Sequence, residues 1–192
     1  MAAQTAVETV QTTSTTLTQA IITNKAQYQK DPAKFYALLN STLGPVVDVE
    51  GMSRSVMTVR YYGRATPEQI KRFQDQFKQG LVQFYGNALL QYNNQEIRVL
   101  PNSNNSKNTK RTNVKMEVKS SDGVIYPVSY TMVLKNGSWK MRNVIINGIN
   151  VGKLFREQFA QSMKKNNNNI DKVIDTWVDT IAKARSSFKG KA

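Results

Sequence analysis

The chain has 192 residues, with 27 lysines and arginines against 13 aspartates and glutamates, and it contains neither cysteine nor histidine. The lack of these two residue types excludes disulfides, zinc sites built on thiolate or imidazole, cysteine nucleophiles and catalytic triads that use histidine. The formal charge of +14 favours partners rich in phosphate, such as lipid headgroups or nucleic acid. The basic residues are scattered, however, and fit a simple solvated surface equally well.

Length and hydropathy predict a single globular domain. A chain of 192 residues with 40% hydrophobic content is long enough to bury a sizeable core without disulfide bonds or other cross-links. No stretch approaches the ~18 consecutive apolar residues of a membrane span. We predict one domain over residues 1–192, with residues 1–3 as an added start and residues 183–192 as a frayed basic tail. No signal peptide is visible, which fits either a native cytosolic start or a mature secreted chain with an added methionine.

Three helical segments are predicted in the first third of the chain. Apolar residues recur at helical spacing over residues 3–29, with Ser14 interrupting the stripe. Asp31–Pro32 supplies a capping residue and a first-turn proline for a second helix, which stops at Gly44. A further helical stretch is predicted over residues 50–58.

A long amphipathic helix comes next. Thr66 and Gln69 have the spacing of a capping box, with a proline between them at the first turn, and the helix is predicted to run to about Gln91. Its wide apolar stripe is rich in aromatic residues and comprises Ile70, Phe73, Phe77, Leu81, Phe84, Ala88 and Tyr92.

The chain then changes from helical to alternating periodicity. Alternation and turn signals predict four antiparallel strands, around residues 97–100, 114–118, 126–134 and 139–146. Asn136–Gly137 is a strong hairpin signal between the last two strands. Asn147–Gly148 is interpreted as the end of the fourth strand.

The fourth strand contains a change of parity. The positions of Trp139 and Met141 are odd and those of Val144 and Ile146 are even, so the two pairs would point to opposite faces of a regular strand. Both pairs can face the core only if a β-bulge lies between them. A helix over residues 151–163 and one last helix over residues 170–181 complete the chain. No β-α-β alternation is present, so the fold class is α+β, a roughly four-stranded antiparallel sheet with helices packed on one face.

Catalytic motifs are missing from the sequence. It has neither a glycine-rich dinucleotide loop nor a phosphate-binding loop, and no acidic cluster resembles a cation cage. Asp48 and Glu50 lie close together, but two carboxylates at the start of a helix usually interact with its dipole. The abundance of apolar faces permits a cavity between the layers, although a dry core is the plainer interpretation of the pattern. A nucleic-acid-binding protein and a small-molecule enzyme on a cone-shaped α+β fold stay open as alternatives.

Eight short motifs, in order, resemble the MlaC-type phospholipid-binding proteins, also called toluene-tolerance auxiliary proteins. The resemblance extends over residues 36–177 and departs from the family at Gly63 and in the asparagine-rich segments 102–109 and 166–169. The motifs are Asp48–Met57, Tyr61–Tyr62, Ala65–Gln69, Tyr85–Leu89, Pro127–Tyr130, Gly137–Lys140, Val144–Ile149 and Phe155–Phe159.

The resemblance implies a non-enzymatic periplasmic carrier that shuttles phospholipid between the inner and outer membranes and so maintains outer-membrane lipid asymmetry. It implies a monomer with an acyl-chain pocket between a curved sheet and the helices, and no cofactor apart from phospholipid as cargo. The implied partners are an inner-membrane ABC transporter with a ring-forming lipid-binding subunit and an outer-membrane lipoprotein with a porin.

On this resemblance we expect the acyl tails to lie between the helix of residues 66–91 and the hairpin of residues 124–146. Arg60 and Arg64 are expected to attract the headgroup phosphate at the pocket mouth. The residues expected to contact the tails are Phe73, Phe77, Leu81, Phe84, Val128, Tyr130, Met132, Val144, Ile146, Val151 and Phe155.

Overall fold

The computed structural model describes residues 4–101 and 110–188, without the side chains of residues 87 and 185–188. Contacts between residues divide the chain into two units, each assembled from two separate stretches. The first unit comprises residues 1–48 and 88–151, and the second comprises residues 49–87 and 152–192. The predicted polar loop 102–109 lies outside the described residues. The single-domain assignment stays a prediction.

The first unit begins with two helices, α1 (Ala6–Lys30) and α2 (Pro32–Leu43). A capping box starts α1, because the Glu8 carboxylate accepts from the Thr5 amide at 2.7 Å and the Glu8 amide donates to the Thr5 hydroxyl at 3.2 Å. The helix is kinked at Asn24, where φ is −118° and ψ is 18°. Asp31 precedes α2 as predicted, although its side chain makes no capping hydrogen bond.

The sheet of the first unit is an antiparallel meander whose strands follow one another in chain order. The α+β prediction is confirmed, but the sheet has five strands rather than four. Asn147 and Gly148 have positive φ angles of 48° and 81°, so this pair turns the chain back into a two-residue strand instead of ending the sheet. The strands are β1 (Glu96–Val99), β2 (Arg111–Lys119), β3 (Ile125–Lys135), β4 (Ser138–Ile146) and β5 (Ile149–Asn150).

The β-bulge predicted in β4 is confirmed. Thr131 pairs with Asn143, and the next residue of β3, Met132, pairs with Met141. Arg142 is therefore the extra residue, opposed by no residue of β3. The bulge restores Met141 to the face of the sheet that carries Met132, and it directs the side chain of Arg142 to a partner outside the sheet.

The described part of the second unit is helical. The predicted capping box is present at the start of its longest helix, since the amide of Thr66 donates to Gln69 Oε1 at 3.0 Å and the amide of Gln69 donates to Thr66 Oγ1 at 3.2 Å. The long helix continues past residue 87 into the first unit. The helices are α3 (Val49–Tyr62), α4 (Pro67–Leu90), α5 (Val151–Lys165), α6 (Ile170–Asp175) and α7 (Trp177–Phe188).

Three of these helices, α3, α6 and α7, differ from the sequence prediction. The prediction of a single last helix is wrong, because Thr176 has φ −103° and ψ 6° and separates α6 from α7. The segment predicted to be a frayed tail is helical as far as Phe188. The predicted stretch 50–58 extends to Tyr62 across a kink at Thr58, whose φ of 61° is unusual for a β-branched residue.

An aromatic cluster forms the core of the second unit. Its centre is Trp177, which is fully buried, with ring centroids 5.2 Å from Phe73 and 6.1 Å from Phe155, both edge to face. Phe77 and Phe159 complete the cluster at 6.4 Å and 5.9 Å from the same ring. Such pairs add to the free energy gained from burial alone, so this cluster holds the helices of the second unit together.

Candidate ligand-binding cavity

A cavity of about 60 Å³ lies inside the first unit, between α1 and the sheet. Its walls are one face of α1, the end of α2 with the segment after it, and strands β3 and β4. The lining contains no charged residue and comprises Thr9, Val10, Thr13, Ser14, Leu17, Leu43, Val46, Tyr130, Met132 and Met141.

The sequence of α1 explains why space remains here. Val10 and Leu17, seven residues apart, are buried on the face of α1 that lines the cavity, and between them stands Ser14 where the helical stripe calls for an apolar residue. The Ser14 hydroxyl donates to Met116 Sδ of β2 at 3.7 Å, so this part of α1 lies against the sheet. A short polar side chain at this position leaves volume that a leucine would fill.

The opposite wall depends on strand alternation and on the bulge. Tyr130 and Met132 are two residues apart on β3 and face the same side of the sheet. Met141 is brought beside Met132 by the bulge in β4. The backbone of Met141 also pairs with the segment before α3, because its amide donates to the Val46 carbonyl at 2.7 Å and its carbonyl accepts from the Asp48 amide at 2.9 Å.

A buried ion pair fixes this end of the cavity. The Asp48 side chain is 2% exposed and accepts from Arg142 Nε at 2.8 Å and from Arg142 Nη2 at 2.6 Å. Lys135 Nζ lies 3.4 Å from the other carboxylate oxygen. The extra residue of the bulge therefore binds one carboxylate oxygen, Oδ2, through two nitrogens, and these charge-assisted contacts are stronger than hydrogen bonds between neutral groups. Sequence reasoning considered Asp48 only as a helix-dipole partner and missed this role.

Tyr130 is the most unusual polar group in the lining. Burial raises the pKa of its phenol to about 12. Its side chain is half-buried by surface area, and no hydrogen bond of its hydroxyl is found within the described part of the chain. Of the lining hydroxyls, that of Thr9 donates to the Thr5 carbonyl at 2.9 Å and that of Ser14 donates to Met116.

The residues predicted to contact the acyl tails divide between the two units. Tyr130 and Met132 line the cavity. Four other predicted contacts belong to the first unit but do not line the cavity: the buried Val128, Val144 and Val151 and the half-buried Ile146. Those of the second unit are Phe73, Phe77 and Phe155 in the aromatic cluster, Phe84 at 5.7 Å from Phe155, and the half-buried Leu81.

The residues predicted to contact the tails omit much of the lining of this cavity. In the sequence, the α1 residues are typical of any amphipathic helix. Leu43, Val46 and Met141 lie at the ends of elements or beside the bulge, where periodicity does not indicate which way a side chain points. The interrupted stripe at Ser14 was the available signal.

The two arginines predicted to attract a headgroup are exposed. Arg60 lies on α3 with its guanidinium 5.3 Å from the ring centroid of Tyr61, and Arg64 lies in the turn after α3. Arg54 makes a similar contact with Tyr62 at 4.8 Å. Arginines held over aromatic rings keep their charge available to solvent and to anions.

Neither a metal centre nor a membrane helix is found among the described residues. No group of three or more carboxylates there could hold a metal ion. None of the helices in residues 4–101 and 110–188 combines the length and hydropathy needed to cross a bilayer.

Comparisons with known proteins agree with the resemblance seen in the sequence. The family model described as MlaC protein matches residues 11–179. Over 187 residues the chain is 52% identical to the toluene tolerance protein Ttg2D of Pseudomonas putida, covering 97% of this chain and 86% of that protein. This likeness favours the carrier over the nucleic-acid-binding and enzymatic alternatives.

A solved structure shows the same fold. The phospholipid-binding protein from Ralstonia solanacearum, determined in complex with a phospholipid, superposes with a TM-score of 0.81 at 22% identity, over 96% of this chain and 98% of that one. At this identity the likeness is one of fold. The family match and the Pseudomonas relative decide the assignment: the chain belongs to the MlaC family of phospholipid-binding carriers, which are not enzymes.

Proposed function

We propose that this protein carries phospholipid with an acyl chain inserted between α1 and the sheet of the first unit. The observation that supports this most directly is the cavity itself, which is uncharged and bounded by Val10, Leu17 and Met132. An interior of this kind binds hydrocarbon favourably and excludes the phosphate group, because an unpaired charge in an apolar site is strongly unfavourable. The headgroup therefore stays outside.

The size of the cavity requires that its walls separate. A volume of about 60 Å³ is well below the ~150 Å³ of an apolar cavity that admits benzene. The end of the cavity near Val46 is tied to β4 by backbone hydrogen bonds and by the Asp48–Arg142 pair. Among the described contacts, α1 meets the sheet through side chains such as Ser14. We therefore infer that α1 moves away from the sheet when a tail enters.

The gain from burial is large enough to drive this opening. Each methylene transferred from water contributes about 0.8 kcal/mol, so a tail of some sixteen carbons gains on the order of 10 kcal/mol before the cost of opening. Binding this favourable makes spontaneous release slow. Loading and unloading consequently need a membrane or a partner that accepts the tails.

The cellular setting is inferred from the family. We place the carrier in the periplasm, between an inner-membrane ABC transporter with a ring-forming subunit and an outer-membrane lipoprotein with a porin. The net charge of +14 would speed docking at anionic leaflets or acidic partner faces. The headgroup contacts of Arg60 and Arg64 and the tail contacts of the aromatic residues in the second unit stay predictions from the resemblance.

Denaturing extraction followed by lipid mass spectrometry tests the proposal. We expect phospholipid to co-purify with the protein and the delipidated protein to take up phospholipid from vesicles. Leu17→Trp fills the cavity from α1 and should abolish uptake, and Ile22→Trp is the matched control because Ile22 is 47% exposed on the same helix. Absence of lipid in the extract together with absence of uptake would overturn the proposal.

A further inference from the structure

A strained residue in α3 is followed by an exposed aliphatic side chain. Thr58 has φ 61° and ψ 165°, a backbone conformation that is essentially restricted to glycine, and it kinks the helix. The next residue, Val59, is 88% exposed, while Val56 and Met57 before the kink are buried. A single exposed valine is ordinary, but strained backbone is found mainly where it serves binding or a switch. The kink therefore marks this segment as a candidate contact surface.

Three arginines give the same segment a positive charge. Arg54, Arg60 and Arg64 are exposed, and no acidic residue lies between Glu50 and Glu68 in the sequence. None of the three arginines forms an ion pair with a carboxylate in the described part of the chain. Their charge is therefore available to an anionic partner.

Two of these arginines are held by aromatic rings. The guanidinium of Arg54 lies 4.8 Å from the ring centroid of Tyr62, on the other side of the kink, and that of Arg60 lies 5.3 Å from the ring centroid of Tyr61. Such contacts orient a guanidinium without neutralising it. The segment thus combines an apolar side chain, Val59, with positive charges that no carboxylate neutralises.

This combination fits an anionic bilayer better than a protein partner. The centre of a protein interface is apolar over several residues and depleted of charge. Among the described residues of the second unit, Val59 is the one large apolar side chain that is exposed rather than buried or half-buried. At a membrane surface, one aliphatic side chain can insert at the level of the headgroups while arginines bind the phosphates around it.

We propose that residues 54–64 dock the carrier on anionic bilayers, with Val59 inserted among the headgroups and the arginines bound to lipid phosphates. These phosphates belong to the bilayer and not to the bound cargo. The inference rests on the proposed function, in which loading and unloading need a membrane, and it names the surface that meets the membrane. Docking is measured separately from tail uptake, so either proposal can fail alone.

Co-sedimentation of the full chain with vesicles tests the arginines, using phosphatidylcholine alone or mixed with phosphatidylglycerol. A basic residue close to an anionic surface contributes about fivefold to binding, so replacing all three arginines with glutamine should weaken binding to the mixed vesicles roughly a hundredfold. The control removes the same charge from the first unit through Lys30→Gln, Arg111→Gln and Lys115→Gln, all at exposed positions. It should weaken binding by less than about tenfold, because charges away from the contact are screened.

Val59→Ser separates insertion from attraction by charge. It should weaken binding to the mixed vesicles about tenfold, because the aliphatic group no longer leaves water. Ile22→Ser, at a position of α1 that is 47% exposed, should leave binding unchanged.

Two results would overturn the inference and leave an acidic protein as the better occupant of this surface. One is an equal loss of binding in the arginine variant and its control, and the other is wild-type binding by Val59→Ser. Phospholipid in the denaturing extract would show in either case that the carrier function stands. If the extract and the uptake assay showed no lipid while docking followed the prediction, the proposed function would fail and the docking surface would stand.

Discussion

The buried ion pair between Asp48 and Arg142 is predicted to stabilise the first unit. Asp48→Asn removes the charge from a side chain that is 2% exposed and leaves Arg142 and Lys135 facing an amide. Breaking a buried pair typically costs roughly 3–5 kcal/mol. The two cations are 33% and 39% exposed and regain hydration, which places the expected loss at about 2–3 kcal/mol.

Urea unfolding followed by tryptophan fluorescence measures this loss, because Trp139 lies on β4, the strand that carries Arg142, while Trp177 reports on the second unit. With a slope of about 2 kcal/mol per molar urea, the midpoint should fall by about 1 M. Glu96→Gln is the control: its partner Lys119 is 3.9 Å away on the same sheet, and the pair is 68% and 52% exposed. That variant should change stability by less than about 0.5 kcal/mol. Equal midpoints for the two variants would refute the role assigned to the pair.

Three further predictions concern the second unit, the cavity and the surface. Gly80→Ala should stabilise the protein by about 1 kcal/mol in thermal unfolding, because Gly80 is inside α4 and alanine is the better helix former. The added methyl group would meet Trp177 at 3.5 Å, which is an ordinary contact. A lowered melting temperature would contradict this prediction. Burial raises the pKa of Tyr130 from 10.0 to about 12, so the associated stability is complete below pH 10 and is lost between pH 10 and 12. Tyr130→Phe should lack that loss, which can reach about 3 kcal/mol for two pKa units, and parallel curves of unfolding free energy against pH would show that the phenol is not protected. Lipid transfer to anionic vesicles should slow as salt rises from low to physiological concentration, with neutral vesicles as the control; a rate independent of salt would exclude steering by the net charge of +14.

The sequence predicted the parts of the fold that local chemistry decides. The capping box at Thr66, the hairpin at Asn136–Gly137 and the bulge near Arg142 depend on residues within a few positions of one another, and all three are present. The fifth strand was missed because Asn147–Gly148 marks a turn but does not indicate that two more residues pair with β4. The break at Thr176 was missed because the apolar spacing continues through it.

The candidate site was harder to predict because its walls come from distant segments. Strand alternation identified Tyr130 and Met132, but α1 contributes half of the lining and its stripe has the pattern of any amphipathic helix. The partner of Asp48 is 94 residues away and depends on which residue of β4 is extruded by the bulge. Long-range pairing of this kind leaves no periodic signal, and the family resemblance supplied the ligand class where patterning alone favoured a dry core.

The central claim is that the acyl tail lies between α1 and the sheet. Photocrosslinking with a phospholipid that carries a diazirine near the end of one tail tests it most directly, with the attachment sites found by peptide mass spectrometry. We predict attachment at cavity residues such as Val10, Leu17 and Met132, and loss of that attachment in Leu17→Trp but not in Ile22→Trp. Attachment confined to exposed residues, or unchanged in Leu17→Trp, would contradict it.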